Sequence, residues 1–184
     1  MPNKVKFGLK NVHYAPLTEG GTGDTYETPI PIPGAVNMSL EPVGEDTEYI
    51  ADDIEYYTST GNNGYDGDLE IAIVPESFEE DVLGEIEDAK KVAFETIKAE
   101  QKPFALLFEI NGDSKARRWV LYKCFAKRPK LEATATVNKD PKSATLSLKA
   151  RPNTDGHPLA HTKDTTDATV YGSWYTTVHA YAEV

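Results

Sequence analysis

The sequence predicts a mainly β protein with a β-sandwich or barrel-like fold, one short α-helix and long loops. The first observation is that apolar and polar side chains alternate in several segments, which is the period of a half-buried strand. The second is that two such segments, 104–110 and 117–126, flank Asn111-Gly112-Asp113-Ser114. Because these four residues tolerate turn geometry, the pair predicts a β-hairpin. The third is a single set of helix-boundary signals near residue 80.

The hairpin is accompanied by further predicted strands. Alternation predicts strands at 35–42 and 68–74 and, leading into the hairpin, at 91–98. Additional strand candidates are 134–137, 144–148 and 169–181. The last is rich in Thr, Val, Tyr and Trp, which suit a pleated surface.

The predicted helix spans 77–83. Ser77 followed by Glu80 fits a capping box, Pro75 precedes it, and Gly84 can end it. The segment 85–91 could extend this helix.

A chain of 184 residues fits one domain, 1–184. Three segments lack periodicity: 16–33, 51–67 and 151–168. We therefore expect an N-terminal strand and arm within 1–34, a long loop at 51–67, and a C-terminal segment, 151–184, that the pattern does not place. Long loops in a compact domain need a reason, and assembly between subunits is one while disorder is another.

Composition narrows the function classes. The formal charge of −11 makes the protein a poor clamp for DNA, because tight binding needs Lys and Arg at the phosphates. The single cysteine, Cys124, cannot form an internal disulfide. We see no apolar run long enough for a membrane helix and no apolar signal core at the start, so we expect a cytoplasmic product without membrane association.

No motif predicts catalysis, a cofactor or a metal site. His157 and His161 are four residues apart but lie in a predicted loop, without the third ligand that a metal needs. The acidic run 45–55 lacks EF-hand spacing. Cys124 lies in the middle of a predicted strand, which favours a packed thiol over a nucleophile. The basic stretches 115–118 and 127–130 could contact nucleic acid, but Lys and Arg at hairpin ends also protect strand edges.

Several segments in order carry a resemblance to a known family. They are Val5–Ala15, Ala51–Tyr57, Gly61–Ile71, Lys102–Glu109 and Arg118–Cys124. Together they resemble the phage major tail protein, or tail tube protein, family of long non-contractile tails. The resemblance covers most of 4–150.

The resemblance implies a tail-tube fold and a structural role in the virion tail. Six subunits would close into a ring, and rings would stack into a tube that conducts DNA during ejection without binding it specifically. The implied partners are further copies of the chain and the tail terminator, tape-measure and distal tail proteins. Subunits would occupy the host cytoplasm before assembly, and an acidic lumen would keep DNA from adhering.

Two sets of residues follow from this hypothesis. An inter-ring or inter-subunit loop at 50–68 would use Asp52, Asp53, Tyr56, Tyr57, Asn62, Asn63, Tyr65 and Asp66. A hairpin of the inner barrel at 104–126 would use Phe104, Leu106, Phe108, Trp119 and Leu121. Deleting 58–66 is expected to leave a folded monomer that does not polymerise.

Three alternatives remain open on the sequence. A carbohydrate-binding β-sandwich could use Tyr56, Tyr57, Trp119, Trp174 and Tyr175 as stacking platforms. A hydrolase could use a carboxylate pair, which any acidic β protein offers. A tube of a contractile or secretion system would follow the same physics.

Overall fold

The computed structural model describes residues 3–20, 23–51, 54–133 and 142–182. Thirteen strands lie within these ranges: β1 Lys6–Gly20, β2 Gly23–Tyr26, β3 Ile30–Pro31, β4 Ala35–Val43, β5 Asp46–Ala51, β6 Ile54–Thr60, β7 Gly64–Ile71, β8 Ile86–Glu87, β9 Ala93–Phe94, β10 Phe104–Gly112, β11 Arg117–Ala126, β12 Ala144–Arg151 and β13 Leu159–His161. The predicted mainly β class is confirmed. The predicted strand at 134–137 lies outside the described residues.

One antiparallel sheet dominates the fold. Its strand order is β2-β1-β10-β11-β12-β7-β4, with β3 paired to β1 and β13 paired to β11. The sheet curls until β4 approaches β1. The segment that leads into β4 follows the far side of β1, since Ile32 N–H donates to the Val12 carbonyl at 2.8 Å. No hydrogen-bonded ladder joins β4 to β1 in the described chain, so the sheet stays open rather than closing into a barrel.

The core lies on both sides of the β10–β11 hairpin. Inside the curled sheet, buried side chains from five strands form most of the main cluster, which includes Tyr14, Leu69, Leu106, Leu121 and Leu146. On the other face, Ala105, Leu107, Val120 and Tyr122 form a second cluster under Trp174 and Val178. A strand that is buried on both faces has a nearly continuous apolar sequence, which explains the run Phe104–Phe108.

A short helical segment closes one end of the main cluster. It begins as α1, Glu76–Phe78, and continues as a π-helical turn, Glu79–Leu83. Gly84 ends it at φ 76°, as predicted. The predicted Ser77 cap is wrong, because Pro75 occupies the N-cap and no side chain accepts a hydrogen bond there. Phe78 is fully buried and packs edge-on against Tyr14 and Phe104 at centroid distances of 5.0 and 5.3 Å.

The chain after this helix differs from prediction. The segment 85–91 does not extend the helix, and 91–98 contains only the two-residue strand β9, paired with β8. The Asp88 carboxylate accepts hydrogen bonds from the backbone N–H groups of Lys90 and Val92 at 2.7 and 3.0 Å. Such local bonds compete with helix and sheet ladders, and here they fix a turn.

The predicted strand at 169–181 is also wrong. Residues Ala168–Ser173 form a second helix, α2, whose N-cap Asp167 accepts from Thr169 N–H at 2.8 Å. Since an N-cap aspartate stabilises the first helical turn, this local contact prevails over the β propensity of the following residues. No helix in the described ranges is long and apolar enough to cross a membrane.

Two predicted loops are largely ordered as strands. The arm expected at 16–33 begins with the last five residues of β1, which pair with β2 from Leu17↔Tyr26 to Gly20↔Gly23, and β3 follows β2. The loop expected at 51–67 is the hairpin β5–β6 together with the start of β7. The predicted strands at 35–42, 68–74 and 144–148 correspond to β4, β7 and β12. Within 151–168, which has no periodicity, the chain adds β13 to the main sheet.

Candidate assembly surfaces

The five residues assigned to the inner-barrel hairpin lie together. In the β10–β11 register, Leu106 faces Leu121 and Phe108 faces Trp119. Phe104, Leu106, Phe108 and Leu121 are buried in the main cluster, and Trp119 packs partly buried beside them. Because the opposite face of the hairpin is covered by the second cluster, the hairpin offers no free face in a single subunit. Its position relative to a tube lumen stays a prediction.

Six of the eight residues assigned to the inter-subunit loop are described, and they fall into three places. Asp52 and Asp53 lie outside the described residues, and Tyr56 and Tyr57 belong to the backbone of β6. Asn62 and Asn63 form the turn into β7, where Asn63 N–H donates to the Val43 carbonyl at 2.7 Å.

Tyr65 and Asp66 belong to the main sheet rather than to the hairpin. Tyr65 packs against the main cluster, and Asp66 accepts a hydrogen bond from the Arg151 guanidinium at 2.6 Å. This hydrogen bond and the positive charge of Arg151 lower the pKa of the Asp66 carboxyl.

The β5–β6 hairpin forms a ribbon of its own. Its strands pair with each other and with no other strand of the described chain. Its base is narrow, since Gly61 N–H donates to the Glu45 carbonyl at 3.0 Å. Gly44 and Gly61 touch through their backbones, and a Cβ on Gly44 would lie 1.7 Å from the Gly61 carbonyl oxygen. The ribbon is therefore a discrete appendage joined to the sheet at one point.

The two outer strands of the main sheet leave backbone groups available. In the described chain β4 pairs only with β7, and β2 pairs only with β1. Unpaired strand edges are templates for pairing with another chain. Large apolar side chains are exposed beside the β4 edge, with Val36 at 59% and Ile73 at 70% exposure.

A polar face on β4, β7 and β12 is the feature that sequence analysis did not locate. Along β7 the outward positions are acidic, and Asp68 accepts from the Ser147 hydroxyl at 2.8 Å. The outward positions of the neighbouring strands are also polar: Asn37, Ser39 and Glu41 on β4, and Thr145, Ser147 and Lys149 on β12. The alternation of 68–74 indicated this face, but only the strand pairing shows that three such rows lie side by side.

The cysteine and the two histidines considered as reactive groups or metal ligands have packing roles in the fold. Cys124 is fully buried, and burial raises the pKa of its thiol to about 12. His157 stacks on Tyr181, and His161 stacks on Trp119, which separates the two histidines. Among the described residues no group of His, Cys, Asp or Glu has the geometry to hold a metal ion.

Three of the five aromatic residues considered as sugar platforms, Trp119, Trp174 and Tyr175, are engaged within the subunit. Trp174 is 3% exposed and lies in the second cluster. Trp119 contacts the rings of Phe108 and His161, and Tyr175 stacks on His13. These three rings form no exposed stacking surface.

Comparison with known proteins decides the family. The model of a family described as phage tail tube protein matches residues 2–115, well over half of the chain. The chain belongs to the phage tail tube protein family. The resemblance seen in the sequence is thereby confirmed, and the protein is a structural component of a phage tail, not an enzyme.

Two solved structures are distantly similar to this chain. The first is the sheath/tube terminator of an extracellular contractile injection system, PVC, which is 10% identical. The alignment covers 87% of this chain and 99% of the terminator chain, with a TM-score of 0.45. The tube-terminating cap of the anti-feeding prophage is 10% identical, covers 86% of this chain and 93% of its own, and has a TM-score of 0.44. No curated protein matches the sequence.

Proposed function

We propose that this protein is the repeating subunit of a long, non-contractile tail tube, in which six copies close into a ring and rings stack into the conduit for DNA ejection. Membership of the phage tail tube family carries this proposal. We further propose that 1–184 acts as one domain and that unassembled subunits are present in the host cytoplasm before they form the tail.

Ring closure needs a contact that differs on the two sides of a subunit. The open sheet supplies two different outer strands, β4 at one edge and β2 at the other. Pairing along these edges satisfies backbone N–H and C=O groups that a lone subunit leaves to water. A heterologous contact of this kind closes into a ring when its rotation does.

The β5–β6 ribbon is the proposed arm between rings. It would use Asp52, Asp53, Tyr56 and Tyr57, with Asn62 and Asn63 setting its exit. Because the ribbon pairs with no other strand in the described part of the chain, its outer edges are available to a neighbour. Tyr65 and Asp66 then anchor β7 and do not reach the neighbour.

The last part of the proposal concerns the inner channel of the tube and the proteins at its two ends. A net charge of −11 disfavours adhesion of DNA, so the genome can pass without specific binding. The hairpin 104–126 would lie in the wall as its rigid support. The tail terminator, tape-measure and distal tail proteins would occupy the ends and the lumen.

The experiment compares the wild type with a variant that lacks the ribbon. The deletion 58–66 is unsuitable, because Tyr65 and Asp66 pair with Ala150 and Lys149 in the main sheet. Replacing 46–60 by Asn-Gly instead joins Glu45 to Gly61, whose backbones already meet, through a two-residue hairpin turn.

We expect purified wild type at rising concentration to form tubes of constant width by negative-stain electron microscopy. The ribbon-less variant should keep the near-UV circular dichroism of the wild type and sediment as small particles. Normal tubes from the variant would refute the role of the ribbon. A wild type that stays monomeric at every concentration would refute the proposed function.

A further inference from the structure

The subunit has two chemically different ends. β10 runs from Phe104 to Gly112, a span of roughly 26 Å at the usual rise of a strand. At the Gly112 end, which we call the turn end, Lys6 pairs with Gly112, and the Asn3 Oδ1 accepts from Lys115 N–H at 2.9 Å. At the Phe104 end, which we call the helix end, the helical segment 76–83 packs on Phe104 through Phe78.

The turn end carries unpaired cations. Residues 3–10 contain three lysines and no acidic residue. Lys4, Lys6 and Arg117 line a pocket of about 160 Å³ together with Trp119. None of these three cations forms an ion pair among the described residues.

Two N–H groups of residues that line this pocket have no acceptor in the described chain. Arg117 Nε and Trp119 Nε1 are buried, and neither has a hydrogen-bond partner in the described chain. A buried N–H group without an acceptor destabilises the folded chain, so such groups are normally paired. A carboxylate from outside the subunit matches the three cations that line the pocket, since it balances the charge of Lys and Arg and accepts hydrogen bonds from them.

The helix end carries carboxylates in excess. Residues 76–88 hold seven acidic residues and no basic one. Glu76 and Glu79 line a groove of about 810 Å³ beside the exposed Ile73. Burial and the nearby charges of Glu85 and Glu76 raise the pKa of the Glu79 carboxyl, which indicates that its negative charge is poorly compensated.

The cations near this groove leave those charges uncompensated. Arg128 pairs with Glu95, and Lys130 pairs with Glu132. Lys142 is a further cation on the rim of the groove. Neither Glu76 nor Glu79 forms an ion pair in the described part of the chain.

We infer that the helix-end groove of one copy docks on the turn-end pocket of a second copy, with Glu76 and Glu79 bound by Lys4, Lys6 and Arg117 across the contact. This inference rests on the proposed function. Val5 is 49% exposed at the turn end and Ile73 is 70% exposed at the helix end, so each surface also offers an apolar side chain. Because the two surfaces lie at opposite ends of one chain, the contact repeats head to tail and stacks one ring on the next.

Charge swaps test the contact directly. The variant K4E/K6E makes the turn end acidic, and E76K/E79K makes the helix end basic, so each should repel its neighbour. The variant carrying all four substitutions has reversed ends that match again, and its net charge equals that of the wild type. A control, K90E/K98E, changes the net charge as K4E/K6E does, but at exposed lysines that line neither surface.

The readout is the fraction of protein pelleted as tubes at one fixed concentration, checked by electron microscopy. In each double variant the pelleted fraction should fall at least about tenfold. The variant with all four substitutions should recover most of the wild-type pelleted fraction. Circular dichroism and melting midpoints must match the wild type, which separates assembly from folding.

Three outcomes overturn the inference. Wild-type tubes together with normal tubes from either double variant would remove the contact and leave the proposed function standing. If both double variants and the control lose tube formation, and the variant with all four substitutions does not recover it, then the effect comes from surface charge in general and not from this contact. Absence of tubes from the wild type would remove both the inference and the proposed function.

Discussion

Arg118 and Glu109 face each other across the β10–β11 hairpin, and the Arg118 Nε hydrogen is donated to Glu109 Oε2 at 3.0 Å. Glu109 is only 7% exposed. The same guanidinium lies 3.9 Å from the ring centroid of Tyr171 and donates to the Tyr171 carbonyl. One side chain thus neutralises a buried carboxylate and holds α2 against the sheet.

Replacing Arg118 by alanine should therefore destabilise the protein and loosen its C-terminal segment. An unpaired buried carboxylate costs about 3–5 kcal/mol. Urea unfolding should show this loss, and chymotrypsin should cut near Tyr171 and Tyr175 faster than in the wild type. The matched control is Arg128→Ala, whose pair with Glu95 is more exposed and is worth at most about 1 kcal/mol. Equal effects of the two variants would contradict this role of Arg118.

A second prediction concerns alkaline pH. Burial raises the pKa values of Tyr14 and Tyr122 to about 12, against about 10 for an exposed tyrosine. The folded state therefore favours the neutral phenols. Their contribution to stability is fully present below pH 10 and is lost as the pH rises through 12. The urea midpoint, measured at successive pH values between about 10 and 12, should fall. At a fixed urea concentration, the loss of folded protein and the rise in phenolate absorbance should occur over the same pH range.

The Tyr14 hydroxyl can be tested separately. It donates to Asp81 Oδ2 at 3.0 Å and joins β1 to the helical segment. Tyr14→Phe should cost roughly 1 kcal/mol at neutral pH and should weaken the alkaline loss. Tyr181→Phe, at a tyrosine that is 57% exposed, is the control and should change neither quantity. A Tyr14→Phe variant with the full alkaline loss would show that other tyrosines carry it.

The sequence predicts the strands that bury one face and misses those that bury none. β4, β7, β10, β11 and β12 alternate or are continuously apolar, because their side chains meet the core. β2 has no such signal, since it pairs with β1 at the margin of the sheet and none of its residues is buried. Pairing with β1 orders that segment together with a few side-chain contacts, such as Tyr26 on the second cluster and Asp24 with Thr154, and these leave no period in the sequence.

The C-terminal segment was missed for a different reason. Thr, Val, Tyr and Trp favour strands, but at 174–178 their large side chains cover the second face of the hairpin instead. Nothing in the sequence of 104–126 indicates which segment covers that face. The candidate surfaces could not be predicted from the sequence for the same reason, because their residues come together only in the fold. Lys4 and Arg117 are far apart in sequence, and only the pairing of β1 with β10 brings them to one pocket.

A third prediction concerns the thiol of Cys124. It is fully buried, and the pKa of the thiol is raised to about 12, so almost no reactive thiolate forms at neutral pH. A disulfide reagent should leave the native protein unmodified and should titrate one thiol per chain in urea. Cys124→Ala should fold and still assemble, with a stability loss of about 1–2 kcal/mol for the small cavity. Rapid labelling of the native protein would show that β11 opens locally.

The last prediction concerns Gly67, where three strands meet. Gly67 faces Leu148 of β12 on one side and Leu40 of β4 on the other. A Cβ at this position would lie 1.9 Å from the Ser39 carbonyl oxygen. Real Cβ atoms do not approach a backbone oxygen so closely, so Gly67→Ala must push β4 away from β7. We expect a loss of about 2–3 kcal/mol, as for overpacking in a core, measured by urea unfolding.

Gly172→Ala gives the matched control, because a Cβ there meets nothing within 4 Å and the residue lies in α2. Alanine is favoured over glycine in a helix by about 1 kcal/mol, so this variant should be as stable as the wild type or more so. Since β4 is also the proposed ring edge, Gly67→Ala should reduce tube formation at temperatures where the monomer stays folded. Unchanged stability and unchanged tubes in Gly67→Ala would show that β4 is not held against β7 as described.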